Sequence, residues 1–214
     1  MKLSTTTLAL FLSSTIAISA SGLISSPPKK SNSVRTTLKA QSFKVDNQAS
    51  KIGWLAKKAT GEHNGNISIN SGALQLQNNV LTAIALDIDT RTITDIDLTE
   101  KADNDKLVAT LKSETFFNSD KFPKASLVTT SIVHNAGQQY TINGKLTIKG
   151  ITNDISFPAT VGVNGKKLNA TAKISIDRTK YDIKFRSKSF FENLGDKVIY
   201  DNFDLDVALT ANAQ

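Results

Sequence analysis

The sequence predicts an all-β fold, an antiparallel up-and-down meander of short strands with one short helical insert. Apolar and polar residues alternate with period two in most segments after Gln41, as expected for strands with one buried face. Turn-forming dipeptides separate these segments. A flat sheet of this length would expose long edges, so we expect it to close into a barrel or to stack into a sandwich. About eight strands form a barrel that is packed solid or holds one small ligand.

The N-terminal region predicts export. Lys2 precedes an uncharged apolar run, and small residues such as Ala17 and Ala20 offer cleavage sites. The run is shorter than the roughly 20 residues of a membrane span. We expect a signal peptide over residues 1–20, a Ser-, Thr- and Lys-rich flexible tether over 21–40, and a folded domain over 41–214. The cleaved protein is expected to be soluble and periplasmic or secreted.

The predicted strands are short and closely spaced. Alternation is clearest in residues 66–70, 73–77, 83–89, 145–149, 173–177 and 202–207. The dipeptides interpreted as turns are Asn64-Gly65, Ser71-Gly72, Asn78-Asn79, Asn143-Gly144, Lys149-Gly150 and Asn164-Gly165. An outer-membrane barrel shares this alternation, but these strands look shorter than the roughly 9–11 residues that a spanning strand needs.

One charged segment departs from the strand pattern. Residues 100–112 carry apolar residues at helical spacing, which predicts a short helix, and an aromatic loop over 115–123 follows. Neighbouring side chains on a regular strand point to opposite faces. The adjacent pairs Phe116-Phe117 and Phe190-Phe191 therefore predict irregular backbone, with rings folded over one end of the barrel.

Composition excludes several kinds of chemistry. The chain has no cysteine, which excludes a disulfide framework and a thiolate zinc site, and it has only 2 histidines. No nucleophile motif accompanies them, so we expect no catalytic residue, no metal, no cofactor and no enzymatic activity. The acidic D-x-D pairs are interpreted as a solvated outer face; they are Asp87/Asp89, Asp95/Asp97 and Asp204/Asp206.

The net charge of +7 is spread along the chain, which argues against nucleic acid as a partner. It favours solubility and permits a transient contact with an anionic membrane surface. A homodimer is left open.

Four segments resemble the YceI-like family. Residues 54–67 resemble its W-x-x-K-K-x-x-G-x-H-x-G segment, which includes Trp54, His63 and Gly65. Residues 111–123 and 144–151 resemble its L-K-S-x-x-F-F-x-x-x-x-F/Y-P and G-x-L-T-I-K-G-I/V segments. Residues 189–203 are similar to a variant found in Bacteroidetes-type members. The segments occur in family order and span residues 43–211.

The resemblance implies an exported, eight-stranded lipocalin-like barrel with a long apolar tunnel for a polyisoprenoid or similar lipid, such as a quinone or a polyprenyl chain. The alternative function is that of a solid-cored stress or interaction protein without a small ligand. We expect His63 and Arg178 near a polar head group. The aromatic residues expected around the tail are Trp54, Phe116, Phe117, Phe122, Phe157, Tyr181, Phe190 and Phe191. Burial of a tail gains about 0.8 kcal/mol per CH₂ without any polar contact.

Overall fold

The computed structural model describes residues 39–214. The predicted signal peptide and all but the end of the predicted tether lie outside the described residues. Within them, the elements in chain order are β1 (Ala40–Val45), β2 (Lys51–Lys58), β3 (Gly61–Gln77), β4 (Val80–Asp95), α1 (Lys101–Lys112), β5 (Lys124–Ala136), β6 (Gln139–Ile148), β7 (Ile151–Asn164), β8 (Lys167–Asp177) and β9 (Ile199–Ala213).

The strands form one closed antiparallel barrel with eight positions, because β1 and β2 share a position. β1 pairs with the end of β3, where Phe43 lies opposite Leu74, and with the end of β9. β2 pairs with the beginning of β3 and with β9. The other strands pair with their neighbours in chain order, and the ring closes between β9 and the shared position. The predicted eight-stranded up-and-down barrel with one short helix is confirmed, and the sandwich is wrong.

Strands β3 to β9 are longer than the sequence predicts, since three of the predicted turns are wrong. Asn64-Gly65 and Ser71-Gly72 lie inside β3, and Asn143-Gly144 lies inside β6. These glycines serve close packing: a Cβ on Gly72 would lie 2.7 Å from Cγ2 of Val45. The shortest of these strands has 10 residues, so strand length does not argue against an outer-membrane barrel.

The two ends of the barrel are built differently. At the end where β3 turns into β4, which we call the closed end, large apolar side chains fill the interior. Those with the least exposure there are Phe43, Leu74, Leu76, Leu81, Ile142 and Leu168. At the opposite end, which we call the open end, β4 leads into α1 and the chain returns through an irregular segment to β5.

The helix and the segment after it cover part of the open end. α1 has nearly the predicted bounds, and Leu111 is its buried residue. Phe116 and Phe117 follow in turns, as the adjacent aromatic pair predicts. Phe190 and Phe191 also lie in irregular backbone, before β9. In the described part of the chain, no helix has the length and apolar character needed to cross a membrane.

Candidate ligand-binding cavity

The interior of the barrel is hollow between the closed end and α1. A cavity of about 130 Å³ lies at the open end. A second cavity of about 70 Å³ lies toward the closed end. Both walls include Ile52, Leu146 and Leu205, so the two cavities adjoin each other along the barrel. Together they form an elongated space that suits a narrow, extended molecule.

The walls of this space are almost entirely apolar. Apart from Trp54, the polar residues in the wall of the larger cavity are Thr90, Arg178 and Tyr200. The hydroxyl of Thr90 donates a hydrogen bond to the carbonyl oxygen of Phe122 at 2.8 Å. With such walls, binding depends on removing hydrocarbon from water and not on a matched set of polar contacts.

Trp54 is held in the cavity wall from two sides. Its indole Nε1 donates a hydrogen bond to the carbonyl oxygen of Thr94 on β4 at 3.0 Å. Gly65 lies opposite Trp54 in the β2–β3 register. A Cβ on Gly65 would overlap the carbonyl oxygen of Thr94 and lie 2.8 Å from Cζ2 of Trp54. Because Gly65 of the H-x-G motif has no side chain, the ring of Trp54 has room to pack against β4.

Three predicted phenylalanines line the hollow interior. Phe116 and Phe117 lie in the wall of the larger cavity, and Phe157 lies in the wall of the smaller one. The ring of Phe116 packs edge-on against Phe185, with centroids 5.6 Å apart, and Phe117 packs edge-on against Phe203 at 6.5 Å. The aromatic loop therefore contributes directly to the wall at the open end.

Four other predicted aromatic residues lie outside the walls of these two cavities. Phe122 lies against Gly150, where a Cβ would meet its ring at 2.9 Å. Tyr181 is buried in a 3-10 turn, and burial raises the pKa of its hydroxyl. Phe190 and Phe191 are about half exposed, at 49% and 50%. Sequence could not separate these rings from the wall residues, because a phenylalanine looks the same in either setting.

Arg178 reaches the cavity wall, but its guanidinium is engaged by the fold. Its nitrogen atoms donate to the carbonyl oxygens of Ile183, Ile199 and Tyr200 at 2.7, 2.9 and 3.1 Å. Nη2 also lies 3.5 Å from a carboxylate oxygen of Asp201. Burial lowers the pKa of Arg178, while the charges of Asp201 and Asp177 act in the opposite direction. The side chain ties a buried turn to the beginning of β9.

His63 lies outside both cavities, in a network with Asp95 and Asp97. Its Nδ1 is 2.9 Å from Oδ2 of Asp97, whose Oδ1 accepts the backbone N–H of Asn64 at 2.8 Å. Oδ1 of Asp95 accepts a hydrogen bond from Nδ2 of Asn104 at 3.0 Å, which links β4 to α1. The interpretation of Asp95 as a solvated residue is wrong, because the end of β4 runs beneath the helix and leaves Asp95 only 7% exposed.

The pKa values of Asp95 and Asp97 are shifted in opposite directions. Burial acts to raise the pKa of Asp97, but hydrogen bonds from Asn64, Asp95 and His63 outweigh it and hold this pKa at about 2. Burial and the hydrogen bond with Asp97 raise the pKa of Asp95. An imidazole and two carboxylates within 4.8 Å are a donor set that a divalent cation accepts. Hydrogen bonds from His63 and Asn64 occupy both oxygen atoms of Asp97, and Asn104 on α1 occupies Oδ1 of Asp95, so we assign the network to holding α1 in place.

A polar groove adjoins the larger cavity at the open end. It has a volume of about 490 Å³ and shares Phe116 and Ile199 with the cavity wall. His63 lies in this groove, which agrees with its expected position near the mouth but does not test a contact with a ligand. Local sequence patterns did not predict the groove, because the residues that line it come from four separate segments of the chain.

The fold and the hollow apolar interior define a lipocalin-like barrel, a class of protein built around an internal binding space. The YceI-like domain family matches residues 43–211, which is most of the chain. The chain therefore belongs to the YceI-like family, as the four sequence segments predict.

Solved structures share this fold at low sequence identity. BcnA from Burkholderia cenocepacia is 22% identical, with a TM-score of 0.61 over 78% of this chain and 98% of that one. A polyisoprenoid binding domain from Saccharophagus degradans, described as implicated in plant cell wall breakdown, is 13% identical. Its TM-score is 0.58, and the match covers 83% of this chain and 100% of that domain. Comparison with curated proteins gives no match.

Proposed function

We propose that this protein is an exported lipid-binding protein that holds an isoprenoid-type lipid, a polyprenyl chain or a quinone, for transport or storage. The observation that carries the proposal is the pair of adjoining apolar cavities between the closed end and α1. The lipid tail would lie along Trp54, Phe116 and Phe117 and extend toward Phe157. The apolar run before residue 20 supports export.

The size of the interior is sufficient for useful affinity. One water-sized group needs about 10–15 Å³ of such volume, so the two cavities hold on the order of 15 methylene-sized groups. At about 0.8 kcal/mol for each buried CH₂, a tail of that length gains roughly 12 kcal/mol before the entropy of association is subtracted. Association costs about 4–15 kcal/mol, so a tail that fills the space binds favourably unless this cost lies near the upper end of that range.

The alternative is a stress or interaction protein that acts through its surface and has no small ligand. That function needs a barrel packed solid throughout, like the closed end. The apolar hollow favours the lipid-binding function, because dry unfilled space in a core costs stability. We infer a binding protein and not an enzyme.

Contact with a membrane would be brief and would involve the open end. Phe190 and Phe191 are half exposed, and the ammonium of Lys184 lies 5.1 Å from the ring centroid of Phe190. Aromatic rings beside cations suit the headgroup region of an anionic bilayer. Such a contact would let a lipid pass between the bilayer and the cavity.

Replacement of Trp54 by alanine tests the assignment of the tail site. We expect Trp54→Ala to carry at least several-fold less lipid, because the variant loses a large part of the cavity wall. The protein is purified without detergent, extracted with organic solvent and analysed by mass spectrometry. Val133→Ala is the matched control, because Val133 is 51% exposed on β5 and lies outside the cavity walls, so its truncation is expected to leave lipid occupancy intact. A folded Trp54→Ala protein with full lipid occupancy contradicts the assignment.

A further inference from the structure

We propose that the groove at the open end binds an anionic head group, so that the preferred ligand is an isoprenoid phosphate and not a neutral quinone or alcohol. This inference rests on the proposed function, since the tail would occupy the cavity. The groove and the larger cavity share Phe116 and Ile199. A chain that fills the cavity and emerges at the open end therefore places its head in the groove.

The charges around the groove favour an anion. Four cationic side chains line it, from the end of β2, from α1 and from the segment before β9, against two acidic ones, Asp103 and Asp196. The cations are Lys58, Lys106, Arg186 and Lys197. Among residues 39–214, none of these four forms an ion pair within 4.0 Å. A concave surface with an excess of positive charge attracts an anion.

Two lysines on the outside of the barrel, Lys124 and Lys173, differ in this respect. Lys124 pairs with Asp87 at 2.8 Å, and Lys173 pairs with Asp206 at 2.6 Å. Their charges are balanced within the fold. The unbalanced cations around the groove can instead be balanced by a ligand, and a phosphate with several oxygen atoms can meet cations from more than one element.

Arg186 provides the most specific feature of the groove. Its φ of 51° lies in the left-handed region, which costs a residue with a Cβ about 1 kcal/mol and favours glycine. Its guanidinium carbon lies 4.9 Å from the ring centroid of Phe185, which packs against Phe116 in the cavity wall. The guanidinium of Arg186 therefore stacks on the ring of Phe185 beside the mouth of the cavity. A planar guanidinium can donate hydrogen bonds to two oxygen atoms of one phosphate.

Two ligands with the same tail and different heads test this proposal. The protein is titrated with geranylgeranyl phosphate, with geranylgeraniol and with inorganic phosphate, using the fluorescence of Trp54, the single tryptophan, as the signal. We expect the phosphate ester to bind at least about tenfold more tightly than the alcohol at low ionic strength, with a smaller ratio at 0.5 M salt. Equal affinity for ester and alcohol overturns this inference and leaves the lipid-binding function intact. Failure of both to bind overturns the lipid-binding function itself.

Inorganic phosphate and a fatty acid show whether binding depends on the tail, on the phosphate group or on both. Inorganic phosphate is expected to bind weakly, because it gains nothing from the cavity. If it binds as tightly as the ester, the groove is an ion site without a role for the tail, which contradicts the proposal. A fatty acid of similar length that binds as tightly as the ester contradicts the preference for phosphate.

Variants locate the effect in the groove. Arg186→Gln is expected to lower the affinity for the ester about tenfold and to move the ratio between ester and alcohol toward one. Arg186→Gly relieves the left-handed backbone while removing the same charge, so it gives a folded protein for the same measurement. Lys173→Gln on the barrel wall is the control and should leave the ratio as in the wild type. A wild-type ratio in folded Arg186→Gly contradicts the role of the arginine.

Discussion

Two neighbouring carboxyl groups at the open end of the barrel respond oppositely to their surroundings. The pKa of Asp97 is held at about 2, whereas burial raises the pKa of Asp95. The difference follows from hydrogen bonding: a backbone N–H and His63 approach the carboxylate of Asp97, but one oxygen atom of Asp95 is buried with no donor in the described residues. The ionised form of Asp97 therefore stabilises the fold.

Asp97→Asn is expected to lower the free energy of unfolding by about 1 kcal/mol at pH 7, allowing for the partial exposure of the side chain. Because the folded pKa of Asp97 lies below its unfolded value, its contribution is present above about pH 4 and disappears as the pH falls toward 2. The difference between variant and wild type should therefore shrink over that range. Urea unfolding at a series of pH values measures it.

Asp95→Asn is the matched variant for this experiment. Its amide keeps an oxygen atom for the hydrogen bond from Asn104 and adds a donor toward Asp97. Because the raised pKa means that ionisation of Asp95 costs stability as the pH rises, we expect no loss at pH 7 from a neutral amide. Equal losses in the two variants would show that the carboxyl groups do not have the opposite roles assigned here.

At the scale of the elements, the alternation of residues predicts the strands better than it predicts where they end. The predicted strands over 66–70 and 73–77 form one strand, β3, although Ser71-Gly72 between them has the composition of a turn. Asn78-Asn79 does form a turn, with left-handed φ values of 50° and 65°. The sequence cannot separate these cases, because a glycine needed for a positive φ and a glycine needed for close packing are the same residue.

The sequence also predicts only part of the candidate site: residues of the cavity wall, but not the contacts of its polar side chains. Large apolar side chains at alternating positions predict an interior, and Trp54 and Phe116 do line it. The engagement of Arg178 by three carbonyl groups was not predictable, because two of them lie on β9 and the third, of Ile183, is brought to the guanidinium by an irregular turn. The burial of Asp95 depends on where α1 crosses the end of β4, which local patterns do not determine.

Gly65→Ala tests whether the packing of β2 and β3 against β4 requires the glycine of the H-x-G motif. The added Cβ would overlap the carbonyl oxygen of Thr94, so strand β4 or the ring of Trp54 must shift. We expect a loss of about 2–4 kcal/mol in the free energy of unfolding, measured by chemical denaturation. Gly53→Ala is the control on β2: its new Cβ would have no neighbour nearer than 3.8 Å, and its loss should stay below about 1 kcal/mol.

At the scale of the whole molecule, the barrel divides into a solid half and a hollow half. Phe43, Leu74 and Leu168 at the closed end are fully buried and supply a continuous core. That core stabilises the barrel independently of any ligand, so the rest of the interior can remain open. The division also limits the depth to which a ligand can enter, because Ile142, a fully buried residue of the closed end, lies in the wall of the smaller cavity.

The length of the bound tail follows from this limit. Two cavities of about 130 and 70 Å³ hold on the order of 15 methylene-sized groups, which corresponds to an isoprenoid of about 15 to 20 carbons. Across prenyl alcohols of increasing length, we expect the affinity to rise by at least about tenfold for each added isoprene unit, because five more carbons leave water. Beyond about 20 carbons the affinity should level off, since further units remain outside the cavity.

Titration of the series against the fluorescence of Trp54 measures this dependence, with a long ligand added last to displace a short one. Ile142→Ala, which trims the wall of the smaller cavity at the closed end, provides the matched variant and should move the plateau toward longer chains. An affinity that keeps rising steeply to 40 carbons in the wild type would mean that the closed end opens to admit the tail. In that case the buried side chains of the closed end would be part of the binding site and not its boundary.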